Sequence, residues 1–113
     1  MQAFEVNELL AQQGQGSHAY LEFLRVPALS VGLYVLPAGG TDPQQPHSED
    51  EVYYIVRGRG QIMVAGEHRP VQAGSVVYVQ AHDEHRFHDI TEDMHILVFF
   101  APAEYTLAES KIQ

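Results

Sequence analysis

From residue 20 onward the apolar positions fall in short runs of Val, Ile, Leu, Tyr and Phe separated by turn residues, which predicts β-strands. The expected strands are residues 20–26, 29–36, 51–57, 61–65, 76–79, 85–89 and 95–100. Pro27 breaks the first pair, and residues 37–46 form a long loop rich in Pro, Gly and Gln. Gly58-Arg59-Gly60 predicts a tight turn, and Gly66 and Gly74 bracket another. Ahead of the strands one short helix is expected, capped by Asn7, with Glu8 in its first turn and Gly14 and Gly16 ending it. The fold class is therefore all-β, a sandwich or a barrel, with an N-terminal helix.

Several strands are apolar at both parities. Val52, Tyr54 and Val56 alternate with Tyr53 and Ile55, and Ile96, Val98 and Phe100 alternate with Leu97 and Phe99. A one-sided antiparallel sheet would carry polar residues on its second face. One apolar face can line a barrel; the other needs the N-terminal segment or a second subunit, so a homodimer is expected. The expected core is Leu33, Val35, Ile55, Val77, Val79, Leu97 and Phe99.

Length and composition narrow the picture. The 113 residues suit a single domain: a lead-in over 1–19, a barrel over 20–101 and a tail over 102–113. No cysteine is present, which removes disulfides and thiolate ligands. A net charge of -9 with only 6 Lys and Arg argues against nucleic acid and anionic membranes as partners. No apolar run reaches membrane-spanning length, and the first residues lack the pattern of a secretory signal, so a cytoplasmic location is expected.

Three polar residues carry candidate chemistry. His47 and Glu51 stand four apart at the entry to a strand, a spacing that puts both on one face, and His85 opens another strand. Two imidazoles and a carboxylate brought together make a three-ligand metal site with open positions. The competing reading is an acidic surface loop. Gln45 is either a fourth ligand or a loop residue, with Gln44 competing for the role. His95 faces the site or the outside depending on the register of the turn at Ile90-Thr91-Glu92. His82 reads as a turn residue, and His18 and His68 as surface residues. Tyr53 shares the face of Glu51, where core packing is its expected role.

The two stretches 46–58 and 74–89 resemble the paired motifs of the cupins, small barrels of the double-stranded β-helix (jelly-roll) type. The first motif runs Gly, five residues, His-x-His, three or four residues, Glu, six residues, Gly. His47, Glu51 and Gly58 match it, Gln45 stands at the first His, and Gly40 lies one residue too close. The second runs Gly, five residues, Pro-x-Gly, two residues, His, three residues, Asn. Gly74 and His85 match, while Gln80, His82 and Asp89 replace Pro, Gly and Asn. The resemblance spans residues 29–101.

It implies a divalent metal, Fe, Mn, Ni or Zn, held by His47, Glu51, His85 and Gln45. It further implies a small-molecule ligand. The function expected is a metal-dependent enzyme of dioxygenase type acting on a small organic molecule; the alternative is a binding module without turnover. The family spans many reactions, so the resemblance fixes neither substrate nor chemistry.

Overall fold

The structure is a computed structural model that describes residues 1–14, 19–44 and 46–110. Helix α1 covers Val6–Gln13, followed by β1 (Tyr20–Val26), β2 (Leu29–Leu36), β3 (Asp50–Val64), β4 (Glu67–Gln72), β5 (Val76–Val79), β6 (His85–Ala101) and α2 (Thr106–Ser110). All pairings are antiparallel, in the order β1-β2-β6-β3-β4, with β5 also on β3. Strands β1, β2 and β5 span the residues expected from the apolar runs.

The largest departure from expectation is that β3 and β6 are each one long strand. Gly58-Arg59-Gly60 is no turn, and neither is Ile90-Thr91-Glu92. Both strands instead bend through irregular register. The β3–β6 ladder shifts between Ile55 and Gln61. Gly58 has φ +101, and a Cβ there would run into the backbone of Asp93 and Met94. The glycine thus serves a close strand approach at a bulge, a setting that a turn-based reading of Gly-x-Gly misses. Across the bulge the inward parity of β3 changes: Glu51, Tyr53 and Ile55 are buried on one side, Gly58, Gly60 and Ile62 on the other. In β6, Asp89 takes φ 47 and the buried set passes from His85 and Phe87 to Ile90, Met94 and Ile96.

Strand β4 was not expected. Its sequence, EHRPVQ, is polar and contains proline, but it lies at the sheet edge, where proline is tolerated. Helix α1 begins after Glu5 rather than Asn7, which lies within it. The C-terminal segment expected to be a tail contains α2.

The core comprises Tyr34, Leu36, Tyr53, Ile55, Ile62, Val71, Val79, Phe87, Ile90, Met94, Ile96, Val98 and Phe100. Expected core residues Val35, Leu97 and Phe99 face outward instead, because Tyr34 and Leu36 turn in on β2 and the even positions turn in on the last strand. Ile55 and Val79 are core as expected; Val77 packs against that core, and Leu33 is buried on the other side of β2. The outer face of the sheet reads across four strands as Leu33–Leu97–Tyr54–Val76 and Val31–Phe99–Val52–Tyr78. Its β2 end is covered, and its β5 end is open: Leu33 is 0% exposed, Val76 65% and Tyr78 59%.

The loop after β2 is pinned from inside. Buried Asp42 accepts hydrogen bonds from Tyr34 Oη, from the Gln44 amide and from the Phe87 backbone N–H. Tyr53 donates to Gln44 Oε1 at 2.9 Å. Asp42 therefore satisfies its buried charge and fixes the loop that leads to His47.

Candidate metal centre

His47 ends that loop, Glu51 enters β3, and His85 opens β6. On the ladder, His85 pairs with Val64 at the far end of β3 from Glu51. The curl of the sheet brings them together. Strand β5 lies beside the start of β3, with Val79 opposite Glu51, and the turn after β5 delivers His85. Two bonds stitch the turn to the first loop. The His82 N–H donates to the His47 carbonyl at 2.7 Å, and the Ala81 N–H to Asp50 Oδ1 at 2.8 Å. His82 takes φ 71 at the position where the cupin motif has glycine, which accounts for the glycine preference there.

Each of the three offers one ligand atom, and these lie within 4.8 Å of one another. His85 Nε2 is 2.8 Å and His47 Nδ1 3.3 Å from Glu51 Oε1. Neither contact has hydrogen-bond alignment: among the described residues, His47 Nδ1, His85 Nε2 and both Glu51 carboxylate oxygens are buried without a hydrogen-bond partner. These four converging polar atoms have ionic contacts but no aligned hydrogen bond, and a bound cation would satisfy them.

The outer nitrogens fit the same purpose. His85 Nδ1 donates to the Asp83 carbonyl at 2.8 Å, which leaves the Nε2 lone pair facing inward. His47 Nε2 faces Glu104 Oε2 at 3.3 Å, which leaves Nδ1 for the interior. The donor set therefore suits a divalent ion.

Electrostatics follow from the same contacts. Burial pulls the His47 pKa down, but the Glu104 and Glu51 carboxylates outweigh it and hold the value up at about 9. Burial likewise opposes protonation of His85, and Glu51 outweighs it. For Glu51, burial pushes the pKa up while the two imidazoles bring it below the ordinary carboxylate range.

Glu104 was missed at the sequence level, since it lies in the segment beyond the last strand. Three anchors hold it. Buried Glu49 accepts hydrogen bonds from the Tyr105 and Leu107 N–H groups, at 2.8 and 2.9 Å. The Glu104 N–H donates to Ser30 Oγ at 2.9 Å, and Arg25 to the Glu104 carbonyl at 2.7 Å. No local pattern announces such an arrangement.

The other candidates separate cleanly. Gln45, Gly16 and His18 lie outside the described residues. Gln44 is engaged with Asp42 and Tyr53. His95 alternates with buried Met94 and Ile96 and so lies on the outer face, paired with Val35 and Arg57, away from the triad. His68 is exposed and lies 2.9 Å from His88. Tyr53 packs in the core against Phe87, ring centroids 4.9 Å apart.

A cavity of about 510 Å³ opens beside His47. Tyr20, Tyr34 and Phe100 supply its aromatic wall, and Glu22 and Glu104 its carboxylates.

Residues 32–100 match the cupin domain family. The chain belongs to the cupins. It is 52% identical over 104 residues to an uncharacterized protein of Streptomyces coelicolor, covering 92% of this chain and 99% of that one. Among solved structures it is similar to an RmlC-like cupin from Shewanella frigidimarina, at 20% identity and a TM-score of 0.66, covering 74% of this chain and 75% of that one. It is also similar to KdgF from a Halomonas species, at 20% identity and a TM-score of 0.67, covering 74% and 76%. At such identities these likenesses concern the double-stranded β-helix fold alone. Among the described residues, no helix of this cupin is long and apolar enough to cross a membrane.

Proposed function

We propose that this cupin is a metal-dependent enzyme acting on a small organic molecule, with dioxygenase-type oxidation as its reaction class. The observation that carries the reading is the cluster of converging ligand atoms on His47, Glu51 and His85 beside a cavity of about 510 Å³. Two imidazoles and one carboxylate on one side of a site form the ligand set of non-haem iron, and Mn, Ni and Zn accept it too. When bound, such an ion supplies Lewis acidity and, if it is iron, electrons for dioxygen.

The chain's own residues do the rest. Glu104 and the Asp83 carbonyl fix the two imidazole rings in the ligating orientation. Phe100 packs tilted against the His47 ring, centroids 4.8 Å apart, and helps exclude water. Gln45 serves as a fourth ligand. The assembly is a cytoplasmic homodimer, supported for the dimer by the apolar outer face that stays open at β5.

A second reading, a binding module without turnover, is favoured by one feature. Among the described residues lining the cavity, Glu104 is engaged by His47 and Glu22 by Arg25, so both carboxylates are held in ion pairs rather than poised to move a proton. Loading the purified protein with Fe(II), Mn(II), Ni(II) or Zn(II), then following metal content and oxygen uptake over a small-molecule panel, separates the two. Uptake by the iron form alone supports the enzyme. A metal-loaded protein that consumes no oxygen with any compound leaves the binding module. A protein that takes up no metal removes the enzyme and leaves only a small-molecule-binding module without metal.

A further inference from the structure

Tyr20 lines the cavity, and among the described residues its buried hydroxyl has no hydrogen-bond partner. Its ring lies across Gly32, where a Cβ would strike the ring carbon bearing the hydroxyl and the hydroxyl itself, and Tyr34 meets it edge-on at 6.3 Å. The ring is thus held in place while its polar tip stays unsatisfied. Burial and the nearby carboxylates Glu104 and Glu22 keep the phenol protonated, so it is a donor. An unpaired buried hydroxyl costs stability, and such a cost persists where something outside the fold uses the group.

The surroundings define what could use it. The described lining offers Glu22 and Glu104 as acceptors and contains no Lys or Arg; Arg25, the neighbouring cation, is turned to Glu22 and the Glu104 carbonyl. A free anion would meet two carboxylates with only the metal in its favour. A neutral ligand with an oxygen for Tyr20 and N–H or O–H groups for the carboxylates meets no such opposition.

We propose that the Tyr20 hydroxyl is a ligand-orienting donor, and that the cavity takes a small neutral molecule bearing hydroxyl or amide groups, bound by an oxygen to the metal. This rests on the metal-dependent reading above. A role in holding the fold and a role in holding a ligand give opposite signs when the hydroxyl is removed.

The test compares wild type with Tyr20→Phe, both metal-loaded, using acetamide as a neutral probe and acetate as an anionic one of the same shape. Metal content, thermal midpoint and calorimetric affinity are measured for each. The expected Tyr20→Phe result is unchanged metal, a midpoint raised by a few degrees and acetamide affinity lowered about tenfold. Wild type should bind acetamide more tightly than acetate. Equal acetamide affinity in the two proteins overturns the role of Tyr20, as does a lowered midpoint. Tighter binding of acetate overturns the ligand class. If wild type takes up no metal, the metal reading and this one fall together, whereas the other failures leave the metal reading standing.

Discussion

His47 is held from two sides, by Glu51 at one ring nitrogen and Glu104 at the other, and this decides how the centre responds to mutation and to pH. His47→Ala and His85→Ala each delete an imidazole ligand and should lower metal content sharply, while circular dichroism still reports a folded barrel. Gln45→Ala should do less. His68→Ala, on the far exposed surface, should leave metal content unchanged. Full occupancy in the His47 and His85 variants, by elemental analysis, would sink the ligand assignment.

The pH dependence has opposite signs with and without metal. In the metal-free protein the His47 pKa rises from 6.5 to about 9, so its stabilising contribution is fully present below 6.5 and is lost as pH climbs through 9. Glu51, with its pKa lowered, contributes above its unfolded value and loses that contribution on acidification. Metal binding requires neutral imidazoles, so uptake should strengthen as pH rises toward 9, by at most about tenfold per pH unit for each proton released. Competition with a chelator across pH 6 to about 9 reads this directly; a flat profile would contradict it. His47, Glu51 and His85 were legible because their spacing lies within two short stretches. Glu104 was not, because it stands 53 positions from Glu51 and depends on tertiary anchors.

At the scale of elements, apolar runs delimited β1, β2 and β5, since each is a short strand between turn residues. They failed for β3 and β6, where glycine and polar residues lie inside the strand at bulges. Gly58 shows the cause: its backbone approaches Asp93 too closely for any side chain, a contact that only the folded partner strand creates. Gly58→Ala should therefore lower stability by about 2 kcal/mol or more in urea denaturation, through a strained positive φ and a backbone overlap. A change within about 0.5 kcal/mol would mean that the bulge relaxes freely. Strand β4 escaped notice because edge strands need neither apolar alternation nor freedom from proline.

For the whole molecule, the unresolved demand is the outer face at β5. Alternation had already indicated a second apolar side, though not which residues stood on it. Tyr54, Val76, Tyr78 and Phe99 remain exposed there, and a second copy is the expected cover. Light scattering at micromolar concentration should give twice the chain mass, and Tyr78→Glu should shift the protein toward monomer with its metal content intact. A wild type that stays monomeric at high concentration would remove this interface.

The carboxylate that grips His47 arrives on a segment that the barrel strands do not contain. Glu49, Ser30 and Arg25 form a socket for it, gripping the backbone of residues 104–107. Grafting that stretch from another cupin would change what borders the metal and the mouth of the cavity while leaving the three ligands and every strand untouched. Diversity of chemistry on one frame can arise this way, by rewriting a few residues after the last strand.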